Sequence, residues 1–127
     1  MSESHGKIVW SELMTRDVDA AKKYYSAICG WAFQTVPSSG GDYHIAMQDG
    51  QPVAGIMDIT NAELLSDAPP NWFTYLGVSD VDATVERTKA LGGKIVKAPF
   101  DVPGTGRVAI VEDSTGAVVG IMSPEPM

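Results

Sequence analysis

Asp17-Val18-Asp19-Ala20 returns as Asp80-Val81-Asp82-Ala83, and this repetition decides how the rest of the chain is read. The two tetrapeptides lie 63 residues apart in a chain of 127, and each opens a helical pattern that stops at a glycine, Gly30 and Gly93, at the same spacing. Further along, Gly55-Ile56-Met57 answers to Gly120-Ile121-Met122 at a spacing of 65, so the second copy carries two extra residues. A long period with only two copies predicts a duplicated unit inside one domain rather than a solenoid. Half a chain of this length is too small to bury an adequate core alone, so the halves are expected to share one.

The local patterns agree. Residues 7–15 alternate, with Val9, Ser11 and Leu13 on one side and Trp10, Glu12 and Met14 on the other, as a strand requires. Asp17 can then cap a helix by accepting from the unpaired amides of its first turn. Val18, Ala21, Tyr25 and Ile28 supply the apolar stripe of that helix, with Lys22 and Lys23 outside it, and Gly30 supplies its left-handed exit. Strands are predicted over 31–36, 43–48 and 51–59, the last two joined at Asp49-Gly50, where both positions tolerate positive φ. Residues 60–71 form a linker in which Leu64 and Leu65 suggest a short helical turn and Pro69-Pro70 an extended exit.

The second copy repeats this order. It has a strand over 72–78, a cap at Asp80, a stripe of Val81, Thr84 or Val85, Thr88 and Leu91, and then strands near 94–100, 107–112 and 117–122. The expected fold is therefore α+β, with two tandem β-α-β-β-β units at about 7–59 and 72–123 forming one pseudo-twofold domain. Val9, Leu13, Trp72 and Leu76 are assigned to the side under the helices. The opposite faces, carrying Trp10, Glu12 and Met14 in one unit and Phe73, Tyr75 and Gly77 in the other, are expected to line a cleft between curved mixed sheets.

Composition excludes several classes. Sixteen acidic against nine basic residues give a formal charge of −7, which opposes the phosphate attraction on which nucleic-acid binding rests. No apolar run is long enough to span a bilayer, and the first residues lack the pattern of a secretory signal, so a cytoplasmic protein with no membrane partner is expected. Cys29 is expected to be a core thiol and His5 to lie in a mobile tail. Gly104-Thr105-Gly106 precedes a strand rather than a helix, which removes the geometry of a dinucleotide site.

Taken together, the helix pattern Asp17, Ala21, Tyr24-Tyr25 and Gly30-Trp31 after Glu12-Leu13 resembles the vicinal oxygen chelate superfamily of glyoxalases, bleomycin-resistance proteins and extradiol dioxygenases. The run from Pro70 to Tyr75, Leu91-Gly92-Gly93, Val102 to Arg107 and Asp113 to Gly116 resembles its glyoxalase-like members. In the metal-dependent members, ligands come from the first and last strands of each unit. Counted from the capping aspartates and hairpin turns, those positions here are Trp10, Gly55, Phe73 and Gly120. None of these side chains offers a metal donor. A slip of two gives Glu12, Met57, Tyr75 and Met122, with one hard ligand, and a slip of one gives Ser11, Ile56, Thr74 and Ile121. No metal site and no cofactor are therefore expected. The resemblance also implies a homodimer.

Among the remaining candidates, Glu12 stands out as a carboxylate on the aromatic cleft face, suited to general-base work or to a cationic group; a mouth position or pairing with Arg107 is the alternative. His44 is the other candidate acid or base, against a structural histidine. Arg107 could grip a ligand anion, or sit in a salt bridge. Trp10, Phe73, Tyr75, Met57 and Met122 complete the expected lining. The expected function is metal-free binding of an aromatic or cationic small molecule. The alternative is a glyoxalase-like enzyme, a lyase, isomerase, hydroxylase or dioxygenase, using Glu12 or His44, with or without a divalent metal.

Overall fold

The fold was obtained as a computed structural model, which describes residues 5–38, 41–60, 69–102 and 106–124. The element order is β1 (Ile8–Thr15), α1 (Val18–Cys29), β2 (Ala32–Ser38), β3 (Gly41–Gln48), β4 (Gln51–Asp58), β5 (Asn71–Gly77), α2 (Val81–Ala90), β6 (Lys94–Val102), β7 (Gly106–Glu112) and β8 (Val118–Pro124). This is the α+β pattern β-α-β-β-β twice over. The helical turn expected at Leu64 and Leu65 lies outside the described residues. Among the described residues no helix is long and apolar enough to cross a membrane.

Two compact units emerge, one over Trp10–Phe73 and one built from Thr74 onward together with the residues before Trp10. In the first, the strands run β2-β3-β4-β1; in the second, β5-β8-β7-β6. The outer pairs are antiparallel, while β1 runs parallel to β4 and β5 parallel to β8. A parallel neighbour needs a crossover, which α1 and α2 begin. The Asp49-Gly50 turn has positive φ at both residues, 53° and 78°, as the hairpin pattern predicted.

Both helices start as the repeated aspartates dictate. The Asp17 carboxylate accepts from the Ala20 amide at 3.1 Å, and that of Asp80 from the Ala83 amide at 3.0 Å. Asp17→Ala or Asp80→Ala is expected to lower stability by about 1 kcal/mol each, read from urea unfolding. Equal loss at the two caps is the expected result, because the two bonds are alike. Loss at neither would mean that the caps are made by water.

The helices differ in what they bury. Val81 and Val85 of α2 are buried in a core with Val78, Ala109, Val111 and Ile121. No residue of α1 is buried. At the repeat position of Val85 the first unit has Lys22, whose ammonium must stay in water, so α1 has no counterpart to that buried valine. α1 is instead held by aromatic contacts: Tyr25 stacks on Trp31 at 5.4 Å between centroids, and the Trp72 indole donates to the Tyr25 hydroxyl at 3.1 Å. Tyr24 and Ile28 remain exposed, and so does Cys29, which is not the core thiol expected of it.

The core of the first unit lies on the face carrying Leu13, Ala46, Ala54 and Ile56, with Ile59 also buried. In the second unit the N-terminal segment is tied down. Gly6 donates to the Gly77 carbonyl and Gly77 to that of Lys7, both at 2.8 Å, while the Ser79 amide donates to His5 Nδ1 at 2.9 Å. His5 is therefore bonded, not the mobile tail expected from its polar surroundings.

Candidate functional site

The register of the first unit decides which side chains meet. Glu12 lies opposite Gly55, and Met14 opposite Met57, on the parallel β1–β4 pair. Across the antiparallel β3–β4 pair, Tyr43 lies opposite Met57 and Ile45 opposite Gly55. Because side chains alternate, Trp10, Glu12, Met14, Tyr43, Gly55 and Met57 share one face of this sheet. Leu13, His44 and Ile56 share the other.

On the first of these faces is a directed chain of hydrogen bonds. The Trp10 indole donates to the Tyr43 hydroxyl at 2.8 Å, and that hydroxyl donates to Glu12 Oε1 at 2.9 Å. An indole N–H can only donate, so the phenol must receive there and give its own proton to Glu12. Glu12 is 5% exposed, and a carboxylate so buried must be hydrogen-bonded to persist. Burial, and after it the negative charge of Glu12, raises the Tyr43 pKa well above the ordinary phenol value of 10.0. Tyr43 therefore stays a proton donor throughout the physiological range.

Gly55 is what admits this tyrosine. A Cβ built at position 55 would run into the Tyr43 hydroxyl and ring, closer than side chains ever approach. Tyr43 was not among the residues singled out from the sequence. A glycine inside a strand marks a close approach by another group, and that signal was present at Gly55. The second unit repeats the device with a different donor strand: Tyr75 lies opposite Gly120 on the parallel β5–β8 pair, and a Cβ at 120 would run into the Tyr75 ring. Met122 follows on the same face, opposite Gly77. Phe73 is buried at the end of the first unit, on the same side of β5 as Tyr75.

The other two candidates stand elsewhere. His44 neighbours Tyr43 in sequence and so faces the opposite side, beside Thr35, whose hydroxyl lies 3.0 Å from Nδ1. Its pKa is lowered, first by burial and then by the charge of Lys22. Glu12 and His44 therefore do not serve one ligand within this sheet. Of the two roles open to Arg107, a ligand anion or a salt bridge, the structure shows the salt bridge: its Nε and a terminal nitrogen donate to Asp82 at 2.9 and 3.0 Å, and its other terminal nitrogen to Asp101 at 3.1 Å. The fork holds β6 and β7 to α2, and the guanidinium in turn keeps the Asp82 carboxyl below its ordinary pKa.

A divalent metal of the kind the resemblance implies does not fit this donor set. Gly55 and Gly120 have no donor atoms and no room for one, and Trp10 and Phe73 offer hydrocarbon or an indole N–H. Among the described residues no three of His, Cys, Asp and Glu are grouped so as to hold a metal ion. Of Trp10, Glu12, Met14, Tyr43 and Met57 on this face, Glu12 is the one carboxylate, and Tyr43 already donates to it.

Comparison with known proteins places this geometry. Residues 7–121 match the family model of the glyoxalase/bleomycin resistance protein/dioxygenase superfamily. A putative glyoxylase, CFP32, from Mycobacterium tuberculosis is 39% identical over 114 residues, covering 88% of this chain and 43% of that protein. The anthracycline biosynthesis protein DnrV of Streptomyces peucetius is 30% identical over 127 residues, covering 91% of this chain and 46% of that protein. The chain thus spans about half the length of these relatives. Among solved structures, methylmalonyl-CoA epimerase from Mycobacterium tuberculosis has the same fold, with a TM-score of 0.68 at 16% identity over 99% of this chain and 93% of its own.

Proposed function

Since the chain belongs to the glyoxalase/bleomycin resistance protein/dioxygenase superfamily, we propose that it is a metal-free member of that family which binds an aromatic or cationic small molecule at Glu12. The observation that carries this reading is the directed chain from Trp10 through Tyr43 to the buried Glu12 carboxylate. The chain orients a negative charge beside an indole, the combination that receives an ammonium or a flat polar aromatic. Met14 and Met57, on the same face, are polarizable side chains that adapt to a ligand's outline. The name of the Streptomyces relative attaches that protein to anthracycline biosynthesis, and aromatic ligands from such chemistry are the first to test.

The test is thermal unfolding against a panel of planar aromatic amines, with the matching neutral amides and carboxylates as controls. At one hundred times the dissociation constant a true ligand stabilises by about 2.7 kcal/mol. The expected order is amine over amide over carboxylate, and Glu12→Gln is expected to abolish the preference for the amine. A panel without any shift, or a preference for the carboxylate, rejects the reading.

A second reading is favoured by the same residue. A buried carboxylate with one oxygen fixed as an acceptor can also take a proton from a bound substrate, and a relative is named a putative glyoxylase. In that case turnover disappears in Glu12→Gln while ligand-dependent stabilisation survives.

A further inference from the structure

We infer that Tyr43 and Tyr75 are built-in replacements for the metal centre, one in each unit, and that Gly55 and Gly120 are glycine because each tyrosine ring needs the volume of the missing side chain. The two positions are repeat equivalents in the last strand of each unit, and both are buried. The atoms that a Cβ would meet are the hydroxyl and Cζ of Tyr43 at position 55, and ring carbons of Tyr75 at position 120. Neither glycine has a positive φ, so backbone conformation does not explain why a side chain is absent. The neighbouring ring does.

The tyrosines reach their glycines from different strands. Tyr43 comes from β3 and lies diagonally across β4, while Tyr75 comes from β5 and lies directly opposite on β8. Two different contacts thus occupy the space beside glycines that are themselves repeat equivalents. In the first unit the substitution also changes the chemistry. Where the family's resemblance implies a cation that attracts oxygen donors, this sheet presents a phenol whose proton is directed to Glu12. Such an arrangement offers a carboxylate rather than a cation and does not favour a ligand that chelates through two anionic oxygens. The inference rests on the metal-free reading, and extends it by stating which residues fill the place and why they come in pairs with glycine.

Two measurements test it. In a mutant cycle, Gly55→Ala is expected to lower Tm by about 8 °C or more, but by less than about 3 °C in the Tyr43→Ala background, with the same pattern for Gly120→Ala against Tyr75→Ala. Should Gly55→Ala fail to fold, recovery of folded protein in the double variant carries the same meaning, and the second-unit cycle stands by itself. Equal losses in both backgrounds overturn the inference. The second measurement is metal content after incubation with nickel, zinc and manganese ions in turn. The wild-type chain is expected to retain none. One equivalent retained, with a non-additive cycle, would reject the metal-free reading while the tyrosine–glycine pairing stood; no metal with an additive cycle would do the reverse.

Discussion

Tyr43→Phe is expected to destabilise the protein by about 2–3 kcal/mol, although the substitution removes a single oxygen. That oxygen receives the Trp10 indole proton and donates to Glu12, so its loss takes one hydrogen bond from each of two groups. One of these is a buried carboxylate, for which a hydrogen bond contributes about 1.5–3 kcal/mol. The ring stays, so packing over Gly55 is retained and the effect isolates the polar chain. The same substitution should remove the preference for amine ligands, because Glu12 loses the group that orients it.

The pH dependence gives an independent check. Tyr43 has a folded-state pKa above its unfolded value of 10.0, raised first by burial and then by the charge of Glu12. The protonated form is therefore favoured by folding. Its contribution to stability is complete below about pH 10 and is lost as pH rises beyond that toward the folded-state value. Wild type is thus expected to show the Tyr43 phenol titrating late and a fall of stability in alkali steeper than that of Tyr43→Phe. A wild-type curve identical to that of the variant would contradict the buried donor.

Val81→Ala is expected to cost about 2 kcal/mol, whereas Val18→Ala, at the corresponding position of the first unit, should cost less than about 1 kcal/mol. Val81 is 1% exposed and sits in a core with Val78, Val85 and Ile121, so truncation removes buried methyl groups and leaves a cavity. Val18 is only half-buried at the start of a helix that buries nothing. Urea unfolding of both variants decides the point, since the duplication supplies its own control. Equal costs would mean that α1 is packed more tightly than its exposure indicates.

Much of the fold was legible because it rests on local rules. The capping aspartates, the stripe after Asp80, the left-handed Gly30 and the Asp49-Gly50 hairpin each depend on residues within one turn or one strand. The site was legible only in part. Glu12 and Trp10 could be placed on one face by alternation alone, and Gly55 could be recognised as unable to hold a metal. Tyr43 could not be found in this way, because its meeting with Glu12 joins residues 31 positions apart and depends on the register of β1, β4 and β3. The same limit separated His44 from Glu12 and gave Arg107 to Asp82 and Asp101. Cys29 was misplaced for a related reason: its burial depended on whether α1 packs closely, and no residue of α1 is buried.

The sequence by itself determined the duplicated α+β architecture, the helix starts and turns, and the absence of donors at the expected metal positions, since each follows from residue type and short-range spacing. Only the tertiary structure decided what fills those positions. Strand register, a long-range quantity set by pairing and packing, laid one tyrosine over each glycine and directed the Tyr43 proton to Glu12.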